Sequence, residues 1–194
     1  MNLIFATNNI HKAKEIQQLI GVSFTIKTLH EIGCDDDIVE NGKTLKENAS
    51  IKSNFVFEKY KLNCFADDTG LIVDALNGEP GVYSARYAGE QKNADDNMNL
   101  LLKNLKNKAI RKASFVTVIS LKINKKEYFF EGELKGEIGF DKKGEKGFGY
   151  DPIFIPEGYA NTLAELSLEE KNKISHRAIA FNQLRDFLKQ ENIS

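Results

Sequence analysis

The sequence predicts an α/β protein: a mixed β-sheet with helices packed on it, in two lobes with a cleft between them. Three observations carry this. The chain opens on an apolar run, Leu3-Ile4-Phe5-Ala6, followed by a polar turn and a helical repeat, the strand–loop–helix order of α/β folds. Its middle is β-rich and locally antiparallel, with residues 114–123 joined through Asn124-Lys125 to residues 127–131 as a hairpin. Its end is helical, with Phe181, Leu184 and Leu188 on one face.

Taken in order, the run at Leu3 reads as a short buried strand, and Thr7-Asn8-Asn9 as the turn after it. Ile10, Ala13, Ile16, Gln17 and Ile20 recur at helical spacing, and Gly21 offers a stop. Residues 24–29 alternate and predict the next strand. The acidic, glycine-containing residues 32–43 read as loop. Thr44 with Glu47 three residues on is a capping-box pattern for a helix reaching about Tyr60. Residues 63–66 form a short apolar strand that ends on Asp67-Asp68, with Thr69-Gly70 as a turn straight after. Residues 71–76 predict another strand, closed by Asn77-Gly78-Glu79-Pro80-Gly81. Asp95 or Asp96 caps a helix carrying Leu100, Leu101 and Leu105. Residues 134–140 and 153–155 add strands, and Ser175 caps the last helix. With no repeat, low-complexity tract or linker, residues 1–194 are expected to form one domain.

Composition narrows the function. At 194 residues, 41% hydrophobic and 28% charged, the chain is long enough for a sizeable core and ordinary for a globular protein. A formal charge of −1 argues against a dedicated binder of nucleic acid or acidic membrane. Cys34 and Cys64 make neither a disulfide framework nor a CxxC knuckle. The N-terminus lacks a basic region before its apolar run, and no apolar stretch approaches a membrane span. The expectation is a cytoplasmic protein with no membrane or nucleic-acid partner.

Five segments carry the chemistry. Asp67-Asp68 is an oxygen cluster of the kind that holds Mg²⁺, an ion that takes few carboxylates and completes its shell with phosphate oxygens. Thr7-Asn8-Asn9-Ile10-His11-Lys12 lies between a strand and a helix N-terminus. It is either an anion site with Lys12 as a mobile charge or a plain polar cap made by Asn9. Glu40 is placed to join the aspartates as a metal ligand, and Lys52 to reach a phosphate. Gly147-Phe148-Gly149-Tyr150-Asp151-Pro152 lets backbone approach a flat ligand with Phe148 as a stacking surface, or else is a bulge with Phe148 in the core. Lys171, His176 and Arg177 present several donors within one loop and first helical turn, suited to carbonyl and phosphate oxygens.

Together these segments resemble the inosine triphosphate pyrophosphatase family, enzymes that hydrolyse non-standard purine nucleoside triphosphates. The resemblance runs nearly end to end, through Phe5-Ala6-Thr7, Glu47-Asn48-Ala49, Ala66-Asp67-Asp68-Thr69-Gly70-Leu71, Pro80-Gly81-Val82-Tyr83-Ser84-Ala85-Arg86-Tyr87, Gly147-Phe148-Gly149-Tyr150-Asp151-Pro152 and Ser175-His176-Arg177. It implies an elongated mixed sheet in two lobes around a cleft, a homodimer, and Mg²⁺ held by Asp68 and Glu40. It also implies cleavage between the α and β phosphates, giving monophosphate and pyrophosphate, with Asp68 as proton acceptor for the attacking water and Asp67 able to share that load. By the same resemblance Thr7, Asn8, Asn9, Ile10, His11, Lys12, Lys52 and Thr69 hold the polyphosphate. Phe148, Gly149, Tyr150, Asp151, Lys171, His176 and Arg177 hold the base. Thr69 stands where many relatives carry Ser, and Asn8 where many carry Gly. A Maf-type pyrophosphatase and a nucleotide sensor without catalysis are the alternatives. The Ser175-His176-Arg177 terminus argues against the first and the full acidic cluster against the second.

Overall fold

The structure is a computed structural model that describes residues 2–9, 12, 13, 16 and 24–190. Lys12, Ala13 and Ile16 are helical; the rest of the helix expected from Ile10 to Ile20 lies outside the described residues. The strands are β1 (Asn2–Phe5), β2 (Thr25–Thr28), β3 (Cys64–Val73), β4 (Pro80–Gly81), β5 (Lys112–Ile123), β6 (Lys126–Ile138) and β7 (Phe154–Pro156). Four helices of seven residues or more accompany them among the described residues: α1 (Leu45–Tyr60), α2 (Ala94–Asn104), α3 (Leu168–Ile174) and α4 (His176–Gln190). The sheet order is β2-β1-β3-β5-β6-β7, with β4 also on β3. β1 runs parallel to β2 and to β3, whereas β4 and β7 are antiparallel to their neighbours. The mixed sheet with packed helices is the predicted fold class.

Two compact units share these strands. The first comprises Met1–Asp68, Thr117–Gly132 and Arg177–Ser194; the second comprises Thr69–Val116 and Glu133–His176. In the first unit the two-residue period of a strand sorts side chains between two cores. Leu3, Phe5, Phe65, Ile119 and Leu121 pack with Phe181, Leu184 and Leu188 of α4. Their strand neighbours Ile4, Ala6, Cys64 and Ala66 pack with Val56 of α1. Phe5 stacks on Phe65 at 4.6 Å, and Phe181 meets both rings edge-on at 6.1 and 5.6 Å, the arrangements aromatic quadrupoles favour. The second unit's core joins Leu71, Val73, Leu101, Leu105, Phe115, Ile138 and Phe154. Arg111 is buried there, but its guanidinium donates to the carbonyls of Ile138 (2.6 Å), Gly139 (2.6 Å) and Leu105 (3.1 Å), so the buried charge is hydrogen-bonded.

Several boundaries differ from the sequence expectation. Thr69-Gly70 is no turn: β3 runs unbroken from Cys64 to Val73, and a short 3₁₀ turn at Asp74–Leu76 ends it. The aspartates therefore lie mid-strand, because cations and amides from neighbouring elements compensate them there. β6 is likewise one strand from Lys126 to Ile138 rather than two, and Asn124 and Lys125 turn the hairpin at φ 50° and 64°. Asn93 caps α2, accepting from the Asp96 N–H, and Asp95 and Asp96 occupy the first turn, where the helix dipole favours them. The unforeseen α3 begins with a capping box between Ser167 and Glu170. It ends at Ser175, which directly precedes α4. Thr44 does cap α1, which closes at Tyr60 as expected.

Phe181 fills the first unit's core with no exposed surface. Phe181→Ala is expected to lower the unfolding free energy by about 3–5 kcal/mol, read from urea denaturation.

Candidate active site

The mid-strand position of Asp67 and Asp68 sends their side chains to opposite faces of the sheet. Asp67 follows Phe65 toward α4; Asp68 follows Cys64 and Ala66 toward α1. Asp67 is 1% exposed and meets Lys12 Nζ at 3.0 Å and Arg177 Nε, from the first turns of α4, at 3.8 Å. Burial pushes its carboxyl up, but the charges of Lys12, Arg177 and Lys52 outweigh this and hold it below the usual range. Lys12 is lowered, by burial first and then by the repulsion of Lys52 and Arg177. Asp68 moves the other way. Burial and the neighbouring Glu40 raise it, against the opposing charges of Lys52 and Lys12.

Helix α1 builds the surroundings of Asp68. Asn48 and Lys52, four residues apart on one helical face, both reach it. Asn48 Nδ2 donates to Asp68 Oδ2 at 3.1 Å, while its Oδ1 accepts from the Gly42 N–H at 2.8 Å. The ammonium of Lys52 stands 2.7 Å from Glu40 and 3.7 Å from Asp68. These carboxylates, with Asp67, outweigh the burial that lowers Lys52, and its pKa is raised. Among the described residues no group of three or more His, Cys, Asp or Glu is placed to hold a metal. Two hard carboxylates converging on one cation fit Mg²⁺, which usually takes one or two protein carboxylates plus substrate phosphates. At the end of β1, Thr7 Oγ accepts from the Asn9 N–H at 3.1 Å. Asn9 Oδ1 accepts from the Lys12 N–H at 3.2 Å, so Asn9 caps the helical turn that carries Lys12. Asn8 is exposed, and Ile10 and His11 lie outside the described residues.

The second unit holds the other expected residues. Asp151, buried, accepts from the Phe148 N–H at 2.9 Å and from Lys171 Nζ at 2.7 Å with one oxygen. A Cβ on Gly147, which has φ +80°, would lie 2.1 Å from that oxygen, so only glycine fits. Phe148 is 37% exposed rather than in the core, with the Lys171 ammonium 4.9 Å from its ring centre. Gly149 also has a positive φ, 64°. His176 stacks on Phe115 at 4.8 Å. Tyr150 is buried and gives its hydroxyl to the Ser84 carbonyl at 2.8 Å, which makes its side chain a strut of the loop. Thr69 is half-buried.

These clusters fall on the segments through which a model of the Ham1 family matches residues 3–187. The chain belongs to the Ham1 family. It is 57% identical to a protein of Flavobacterium johnsoniae named dITP/XTP pyrophosphatase, over 97% of this chain and 98% of that one. A Porphyromonas gingivalis protein of the same name is 54% identical over 96% of each. The Staphylococcus aureus Ham1 protein superposes with a TM-score of 0.92 at 43% identity, covering 98% of this chain and 100% of that one. The recognition made from the motifs is borne out. Sequence reasoning passed over Asn48 as a site residue in this Ham1 chain. Its signal was a helical Asn one turn before Lys52, and such a residue usually faces water.

Asp67→Asn leaves Lys12 and Arg177 without their buried counter-charge, and is expected to cost about 3–5 kcal/mol of stability at neutral pH. A depressed carboxyl contributes its full stability above the unfolded-state pKa and loses it as pH falls through the folded one. The difference from the unsubstituted protein, read by urea unfolding, should therefore shrink below the ordinary carboxylate range.

Proposed function

We propose that this chain hydrolyses the non-standard purine nucleoside triphosphates ITP, dITP and XTP between the α and β phosphates. The products are the monophosphate and pyrophosphate. The observation that carries this is the different partners of the two aspartates: Asp67 is buried against the cations Lys12 and Arg177, whereas Asp68 is oriented by Asn48 and shares Lys52 with Glu40. Asp68 is then the base for the attacking water, held in orientation by Asn48. Asp67 fixes Lys12, which with Lys52 and the Thr7–Lys12 segment, His11 included, binds the polyphosphate. Glu40 and Asp68 would hold Mg²⁺, which when bound would neutralise phosphate charge.

The base belongs to the residues of the second unit and the start of α4. Phe148 offers a stacking face, and Gly149 and Tyr150 shape the loop. Lys171, locked by Asp151, with His176 and Arg177 provides donors for the purine O6. Adenine carries a donor amino group there, so the site's donors would be left unpaired. That costs about 1–3 kcal/mol, a roughly ten- to hundredfold preference. The reading includes one catalytic domain over residues 1–194, a homodimer and a cytoplasmic setting. Among the described residues no helix is long and apolar enough to cross a membrane.

Pyrophosphate release is expected from ITP, dITP and XTP with Mg²⁺, lost with EDTA, and slower on ATP by roughly ten- to hundredfold. Equal rates on ATP and ITP would sink the reading. Asp68→Asn should lower kcat by about 10²–10⁴. Lys171→Ala and Arg177→Ala should narrow the ITP-to-ATP preference, measured as the ratio of kcat/KM.

A further inference from the structure

Helix α1 buries an unusual face. Leu45, Ala49 and Val56 are its buried apolar residues, and Asn48, Lys52 and Ser53 are buried beside them. A surface helix is ordinarily seated by a wide apolar stripe. Half-buried Phe55, Phe57 and Tyr60 add packing toward its C-terminal end, so around Asn48 and Lys52 the hydrogen bonds to the neighbouring hairpin set where the helix rests.

Those bonds converge on Glu127, at the start of β6. Its Oε1 accepts from Ser50 Oγ of α1 at 2.7 Å and from Ser120 Oγ of β5 at 2.8 Å. Lys122 Nζ lies 3.3 Å from its other oxygen. Ser50 Oγ in turn accepts from Asn54 Nδ2 at 3.0 Å, and Ser120 Oγ lies 2.7 Å from Ser53 Oγ. An ionised carboxylate only accepts, so the Ser50 and Ser120 protons both point at it. The Ser53 hydroxyl lies 3.1 Å from the Ser50 carbonyl as well as 2.7 Å from Ser120 Oγ, tying α1 to β5 beside the two donations that converge on Glu127. Burial raises this carboxyl, but Ser50, Ser120 and Lys122 prevail and lower it, so it remains the acceptor at neutral pH.

We infer that Glu127 is a positioning residue for the reaction: it sets the seat of α1 on the β5–β6 hairpin, and through that the placement of Asn48 and Lys52 against Asp68. The inference rests on the roles proposed above for those three residues. It adds that a group outside the cluster of Asp68, Asn48 and Lys52 governs their geometry. Small misplacements of a positioned group are costly in rate, on the order of 10²-fold for 1 Å.

Steady-state hydrolysis of dITP by the full chain tests it, with folded fraction checked by urea unfolding. Glu127→Ala should lower kcat about tenfold through the displaced Asn48 and raise KM severalfold through the displaced Lys52. Glu127→Gln, whose amide oxygen still accepts from Ser50 and Ser120, should return kcat to within about threefold of the unsubstituted enzyme. Distant substitutions normally multiply. If Glu127 acts through α1, Glu127→Ala should cost less than about threefold on an Asn48→Ala background. Unchanged kcat per folded Glu127→Ala enzyme, or full multiplication with Asn48→Ala, would overturn the inference. Should Glu127→Ala fold poorly, Ser50→Ala gives the same readout, with a severalfold lower kcat in support and an unchanged kcat against. An active Asp68→Asn enzyme would defeat the reading of the site itself. An inactive one beside an unimpaired Glu127→Ala defeats only this inference.

Discussion

Two adjacent carboxylates in the middle of a buried strand are the constraint around which the first unit is arranged. Neither is tolerable there alone, since a buried charge must be paired and hydrogen-bonded. A strand offers successive side chains to opposite faces, so each acid takes contact partners from its own face. One face supplies the cations Lys12 and Arg177 to Asp67. The other supplies Asn48 and Lys52 to Asp68, with Glu40 beyond. The element after β1, helix α1 and helix α4 thereby each have one polar duty at the sheet besides their apolar packing. The cations Lys12 and Arg177 on one face, against Asn48, Lys52 and the second carboxylate Glu40 on the other, are what separate the acid strengths of chemically identical neighbours.

The second unit uses a carboxylate differently. Asp151 gathers a loop amide and a lysine on a single oxygen, and the Cα of Gly147 lies close against it. The result is a half-exposed ring with an ammonium fixed beside it. Side chains whose rotamers are locked by such partners lose little freedom when a ligand arrives, which favours binding without adding contacts.

Much of this was legible in the letters. The Thr44 cap, the end of α1, the Asn124-Lys125 reversal and the opening strand all obey local rules of propensity and turn chemistry. The chemical residues stood out because their types had no local structural use. What escaped was set by tertiary context. Thr69-Gly70 after two acids has the composition of a turn, and only the cations brought by distant elements make a strand of it. α3 spans seven residues, too few to display a period, and its capping box passed for loop. Asn93 yielded to Asp95 and Asp96 as expected cap because all three suit a helix start. Asn48 was hidden by the ordinary habit of helical asparagines to face solvent.

The alternation of β3 also bears on how such a chain can change over generations. Gaining or losing one residue just before Asp67 would exchange the faces of both acids, bringing Asp67 to α1 and Asp68 beneath Arg177, while inverting Phe65 and Ala66 if they too were shifted. Point replacements leave that parity intact. Length variation is therefore closed to this stretch of the sequence, and lineages would have to find their insertions in the loops instead.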